Sequence, residues 1–176
     1  MKVEKTILPG VLIIKPDVFG DARGFFIETF RTTRYEEAGI NTAFVQDNHS
    51  RSTRGVLRGM HFQKARPQGK LLTVSHGKVF DVAADINPAS PTFGKYVSIE
   101  LSDENHFQIY IPPGYAHGFC VLSEFVDFHY KCTDFYVGND QHGVMWNDPT
   151  LAIDWPIKNP SLSAQDQQWP NLKDLI

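Results

Sequence analysis

The chain has 176 residues, 41% of them hydrophobic, 12% aromatic and 21% charged, with 17 Lys and Arg against 20 Asp and Glu for a formal charge of −3. That length and apolar content suit one domain with a sizeable core and exclude a disordered chain. A slightly acidic balance with no basic patch argues against nucleic-acid and anionic-membrane partners, and with no signal-like or bilayer-length apolar run the sequence predicts a cytoplasmic protein.

In chain order, short runs rich in Val, Ile, Phe and Tyr at residues 11–14, 25–27, 71–74, 79–82, 96–99 and 107–111 alternate with Gly and Pro. Many strands joined by tight turns follow, and hence an all-β sandwich or barrel. Helices are accessories: Thr33 and Glu36 read as a capping box closed by Gly39, and Ser163 to Asp166 resembles a second helix start. Cys120 and Cys132 stand outside any C-x-x-C spacing and read as buried reduced thiols. Along residues 126–132, Val126, Phe128, Tyr130 and Cys132 share one parity while Asp127, His129 and Lys131 share the other, so Tyr130 is expected on the apolar side with a partner for its hydroxyl.

Charged and polar groups gather where strands are expected. Arg58, His61 and Gln63 lie in one short segment followed by Lys70, and His117 enters a strand just after the rigid Pro112-Pro113-Gly114 turn. Strict alternation sets Arg58 and His61 on opposite strand faces. Both reach one site only through a kink or bulge, for which Gly59 is the candidate.

The Pro112-x-Gly114-x-x-His117 stretch before a strand, with an earlier strand histidine, resembles the paired motifs of the cupin superfamily. That resemblance implies a double-stranded β-helix, the jelly-roll barrel, with a few short peripheral helices. Metal-binding cupins carry His-x-His followed by a Glu; here Gln63 stands two residues after His61 and the Glu is missing, so no metal is expected. Over nearly the whole chain, the segments at residues 21–28, 44–50, 55–63, 68–70, 80–83, 90–94, 116–119, 130–131, 146–149 and 162–166 together resemble the dTDP-4-dehydrorhamnose 3,5-epimerases.

What the resemblance implies is an epimerase that needs no cofactor, acting as a homodimer on a dTDP-4-keto-6-deoxyhexose. His61 matches the base, Tyr130 the acid on the opposite face, Lys70 the group that stabilises the enolate oxygen, and Asp166 the carboxylate that orients His61. Substrate contacts carry over onto Arg23, Glu28, Gln46, Asp47, Asn48, Arg58 and His117, and Phe26 is added as an aromatic stacking surface. Two positions depart from the family pattern: Gln141 stands where a Glu is common, and Gln165 where a Lys is common. Competing readings are an epimerase of one carbon only, a metal-dependent cupin and a non-catalytic sugar-nucleotide binder. Each residue also has a purely structural reading: His61 and Tyr130 as core groups tied to the backbone, Lys70 as a strand-edge cation, and Asp166 as a helix N-terminal carboxylate.

Overall fold

The computed structural model describes residues 1–175. Among these residues thirteen strands form: β1 (Lys2–Lys5), β2 (Leu12–Lys15), β3 (Val18–Asp21), β4 (Gly24–Ile27), β5 (Gln46–Thr53), β6 (Leu57–Gln63) and β7 (Lys70–His76). They continue through β8 (Lys78–Asp85), β9 (Tyr96–Ser102), β10 (Gln108–Ile111), β11 (Tyr115–Val121), β12 (Phe125–Cys132) and β13 (Gln141–Gly143), and the one α-helix among the described residues, α1 (Thr32–Glu37), lies between β4 and β5. Two antiparallel sheets face each other, one of six strands in the order β1-β2-β10-β7-β12-β5 and one of five in the order β13-β6-β11-β8-β9. β3 and β4 form a separate hairpin. The expected jelly roll is present.

Alternation along each strand decides which side chains enter the barrel. Leu72 and Val74 of β7, Val79 and Ala83 of β8, Phe119 and Val121 of β11, and Val126 and Phe128 of β12 meet in a buried cluster between the sheets. The opposite parity of β8 and β11, including Val82, Ala84, Ala116 and Cys120, packs outward against the C-terminal segment through Val144, Leu151, Ile153, Trp155 and Leu172. A third cluster, centred on Tyr35 and Ile40, covers the β2–β10 end of the six-stranded sheet. One end of the interior is therefore filled with apolar side chains. Toward the other end the same inward rows carry Lys70, His117 and Tyr130, which line a cavity instead.

Both cysteines are free and buried, as expected. The helix ends behave differently from the sequence reading. Helix α1 begins at Thr32 with Arg31 at the N-cap and no side-chain cap, so Thr33 lies within the first turn and its capping box does not form. Its C-terminus follows the expected stop: Gly39 takes φ +92°, its N–H donates to Glu36 O at 2.9 Å and the Ile40 N–H to Tyr35 O at 2.9 Å. That is a Schellman ending, which a left-handed glycine makes without a Cβ clash. The Ser163 start yields only turns, with the Asp166 N–H donating to Ser163 Oγ at 3.0 Å. Pro170 lacks an N–H and disfavours helical backbone at Trp169, so no helix can extend from it.

Candidate active site

Two walls of the barrel carry the polar groups. Lys70 on β7 and Tyr130 on β12 belong to the six-stranded sheet, whereas Arg58 and His61 on β6 and His117 on β11 belong to the five-stranded sheet; all five line one cavity of about 350 Å³.

Arg58 and His61 reach the same side because β6 is bulged. In the β6–β11 ladder, His61 pairs with His117 and Arg58 with Phe119, so Gly59 and Met60 together face the single Gly118. Met60 is turned outward into the core beneath the sheet. The two strands approach too closely for side chains at this point: a Cβ on Gly59, at φ +139°, would lie 2.5 Å from Gly118 Cα, and one on Gly118 2.7 Å from Met60 Sδ. The glycine pair is what permits the extra residue, and the bulge resets the alternation.

His61 Nε2 and Asp166 Oδ1 are 2.5 Å apart. Asp166 is buried, and its Oδ1 also accepts from Trp169 Nε1 at 3.1 Å. Burial alone would raise its pKa, but the hydrogen bonds from His61 and Trp169 outweigh that and hold the carboxyl below its ordinary value. Trp169 in turn meets His61 edge-on, with ring centroids 6.1 Å apart, and its indole covers Gly143, where a Cβ would sit 2.6 Å from the ring. A fixed carboxylate against one ring nitrogen defines an imidazole built to accept a proton and to be stabilised once charged.

Across the cavity, Tyr130 makes no hydrogen bond with any described residue, and burial pushes its pKa up, which keeps the phenol protonated and free to donate. This differs from the partnered hydroxyl expected from the sequence. Burial also pushes the Lys70 pKa down. His117 lies opposite with Nε2 2.8 Å from Asp81 Oδ2; burial lowers its pKa against the pull of Asp81.

The remaining predicted residues divide. Gln46 and Asn48 face inward, with Gln46 Nε2 donating to Asn48 Oδ1 at 3.0 Å and Gln46 Oε1 accepting from the Tyr136 N–H at 2.9 Å. Gln141, on β13 of the five-stranded sheet, reaches the same tyrosine from the other wall, accepting from the Tyr136 hydroxyl at 2.5 Å. Gln165 lies in an adjoining cavity of about 400 Å³ that shares Arg58, His61 and Gln141. Asp47 is the exception on β5: strand parity turns it to the outer sheet face, where it accepts from Lys131 Nζ at 2.9 Å. Arg23, Phe26 and Glu28 line none of these cavities. Arg23 pairs with Asp21, Phe26 is 67% exposed on the β3–β4 hairpin, and Glu28 pairs with Arg34 at 3.0 Å.

Gln63 is consumed by the backbone: its amide donates to Arg66 O at 2.7 Å and Phe135 O at 3.2 Å and accepts from the Val137 N–H at 2.8 Å. Among the described residues no three His, Cys, Asp or Glu side chains converge as a metal cage. Three residues at the site escaped the sequence reading. Tyr136, with its exposed ring, gave only the second of two adjacent aromatics after Thr133 and Asp134. Trp169 stood three residues after Asp166, one turn of spacing. Asp81 sat in an apolar strand on the same parity as Val79 and Ala83, and that buried charge was the available signal.

A jelly roll with a carboxylate-held histidine facing a free phenol and a half-buried lysine amine has the parts of a proton-transfer enzyme. Residues 5–174 match the family model described as dTDP-4-dehydrorhamnose 3,5-epimerase. A relative of that name from Shigella flexneri is 54% identical over 168 residues, 94% of this chain and 93% of its own. Among solved structures, a dTDP-6-deoxy-D-glucose-3,5-epimerase from Legionella pneumophila in complex with dTDP-4-keto-L-rhamnose superposes with a TM-score of 0.95 at 50% identity, covering 98% of this chain and 93% of that one. A 3′-monoepimerase from Streptomyces bikiniensis, in complex with dTDP-quinovose, has a TM-score of 0.90 at 30% identity, covering 96% and 86%. The chain belongs to the dTDP-4-dehydrorhamnose 3,5-epimerase family.

Proposed function

We propose that this protein inverts C3 and C5 of dTDP-4-dehydro-6-deoxy-D-glucose to give dTDP-4-dehydro-β-L-rhamnose, supplying dTDP-L-rhamnose biosynthesis. The observation that carries the reading is the pairing of His61–Asp166 on one barrel wall with Tyr130 and Lys70 on the other. C3 and C5 both flank the C4 ketone, so loss of either proton gives an enolate. His61 takes the proton, and Asp166 stabilises the imidazolium that forms. Charge then grows on the C4 oxygen, where the Lys70 ammonium in a partly enclosed site is worth several kcal/mol to the transition state, roughly 10²–10³ in rate. Tyr130 delivers a proton to the opposite face, and the centre inverts. No redox step occurs, so the residues alone suffice.

Arg58, Gln46, Asn48 and His117 surround the space left for the sugar and nucleotide, and guanidinium geometry suits the diphosphate. Arg23, Phe26 and Glu28 belong to the same reading through a second copy of the chain. The β3–β4 hairpin exposes Val18, Phe19, Phe25 and Phe26, a set of large apolar groups that a lone protomer leaves in water. A homodimer that buries the hairpin against the partner brings these residues to a neighbouring cavity. Residues 1–176 then act as one jelly-roll domain, a cytoplasmic enzyme with no helix among the described residues long and apolar enough to cross a membrane.

Incubation with the substrate in D₂O tests the reaction. Deuterium at both C3 and C5 is expected. Label at one carbon alone assigns a monoepimerase, the activity named for the Streptomyces bikiniensis neighbour, and no label with nucleotide still bound assigns a sugar-nucleotide binder.

A further inference from the structure

Strand parity sends Gln46, Asn48, Ser50 and Ser52 of β5 to the same face, and Ser52 is the odd member of the row. The first three line the cavity of about 350 Å³, whereas Ser52 is buried opposite Val126 of β12, an apolar core residue. A hydroxyl in that place is costly unless it is hydrogen-bonded, and alanine would fill the space without the cost. Its partner is the Arg58 guanidinium, whose Nε donates to Ser52 Oγ at 3.1 Å. The bond runs from β5 of the six-stranded sheet to β6 of the five-stranded sheet, across the short turn that joins them.

Arg58 is exposed and stands where that cavity meets the adjoining one of about 400 Å³, lining both. Arg51 and Arg66 turn their guanidinium groups to Asp127 and Asp134, but among the described residues Arg58 pairs with no carboxylate. Its bond to Ser52 uses Nε–H and leaves the N–H groups of Nη1 and Nη2 unused by those residues. A guanidinium is planar, so a bond at Nε fixes the direction of the far edge. That edge presents two parallel donors, which match two oxygens of one phosphate.

We propose, building on the dTDP-sugar reading of the cavity, that Ser52 is a positioning residue for the diphosphate: it holds Arg58 so that the Nη1–Nη2 edge meets a phosphate where the two cavities join. Without the hydroxyl, Arg58 keeps its charge and loses its fixed rotamer. A long, flexible side chain must then be ordered at the moment of binding, and the cost appears in affinity. Proton transfer among His61, Tyr130 and Lys70 needs no part of this bond, so turnover of bound substrate is spared.

The test is Ser52→Ala, read through the Kd of dTDP, the Kd of thymidine, which has no phosphate, and the steady-state constants for the dTDP-sugar. The dTDP Kd and the KM are expected to rise about 3- to 10-fold, the ordering cost of one long side chain, with kcat and the thymidine Kd within about twofold. In an Arg58→Lys background no planar fork remains to be aimed, so Ser52→Ala is expected to change the dTDP Kd by less than about 1.5-fold. Equal weakening of dTDP and thymidine, an undiminished effect in the Arg58→Lys background, or a dTDP Kd close to wild type overturns the proposal and leaves Ser52 as a staple of the β5–β6 turn. Should the variant fail to fold, hydrogen exchange of the arginine Nε–H groups in the wild-type protein decides: Arg58 is expected to exchange at least about tenfold more slowly than the exposed Arg54, and equal rates overturn the proposal. Deuterium incorporation from D₂O by the wild-type protein is measured in parallel. Its absence with dTDP bound overturns the epimerase reading alone, whereas wild-type protein that binds dTDP no tighter than thymidine overturns the role of Arg58 and with it that of Ser52.

Discussion

Replacing Asp166 by Asn leaves an oxygen to accept from His61 and Trp169 but removes the negative charge that the imidazolium meets. The two side chains approach to 2.5 Å, with the Asp166 side chain 4% exposed and that of His61 26% exposed. Two unit charges about 4 Å apart at an effective dielectric near 20 attract by about 4 kcal/mol. Because His61 borders open cavity, solvent screening takes about a third to a half of that, leaving about 2–3 kcal/mol. At 1.36 kcal/mol per decade this is a loss of about 30- to 150-fold in kcat. The loss should fall on kcat and leave KM within about threefold, because the charge is needed only as His61 takes the proton. Steady-state turnover and single-turnover exchange in D₂O measure it. A variant within threefold of wild-type kcat, or one whose whole defect lies in KM, refutes the argument that Asp166 stabilises the charged base.

Two further substitutions separate the roles on the opposite wall. Tyr130→Phe removes the donor and leaves the base and Lys70, so deuterium should enter C3 or C5 faster than configuration inverts; inversion of both centres at the wild-type rate would make Tyr130 a packing residue. Lys70→Met keeps the stem and removes the positive charge from the half-buried cavity wall, so kcat should fall about 10²–10³-fold with dTDP affinity within about threefold. A loss confined to KM, measured by steady-state kinetics, would make Lys70 a phosphate-binding group instead.

Much of this arrangement is written in local patterns. Gly and Pro between β-branched and aromatic runs mark the strands, and the alternation of residues 126–132 places Val126 and Phe128 inward and Asp127 and Lys131 outward as the structure has them. The same alternation, applied to β5, turns Asp47 away from the cavity entered by Gln46 and Asn48; the signal was present, but the resemblance treats the three as one run. Helix starts proved less legible, since Thr33 and Ser163 each open a pattern that the surrounding chain does not complete. Long-range partners were beyond local pattern altogether: the meeting of His61 with Asp166, 105 positions away, depends on how the C-terminal segment packs outside the five-stranded sheet.

The bulge in β6 shows how such a segment becomes functional. Without it, alternation would bury Arg58 and expose His61, or the reverse, and one face of the sheet would lose either its cation or its base. One extra residue resolves the conflict: Met60 drops outward, where it packs fully buried, and Arg58, His61 and Gln63 all turn inward. The close crossing with Gly118 is the steric consequence, and the pair of glycines is its condition. His61 is thereby held on a rigid ladder between β11 and β13, directly opposite His117, and not on a loop. Lys70 and Tyr130 are held as firmly on adjacent strands of the other sheet, where Tyr130 pairs with Leu72 and Cys132 with Lys70. In the proposed reaction a sugar ring between these walls meets a base from one sheet and an acid from the other. Inversion of a carbon requires that opposition, and the two-sheet barrel supplies it through backbone geometry alone.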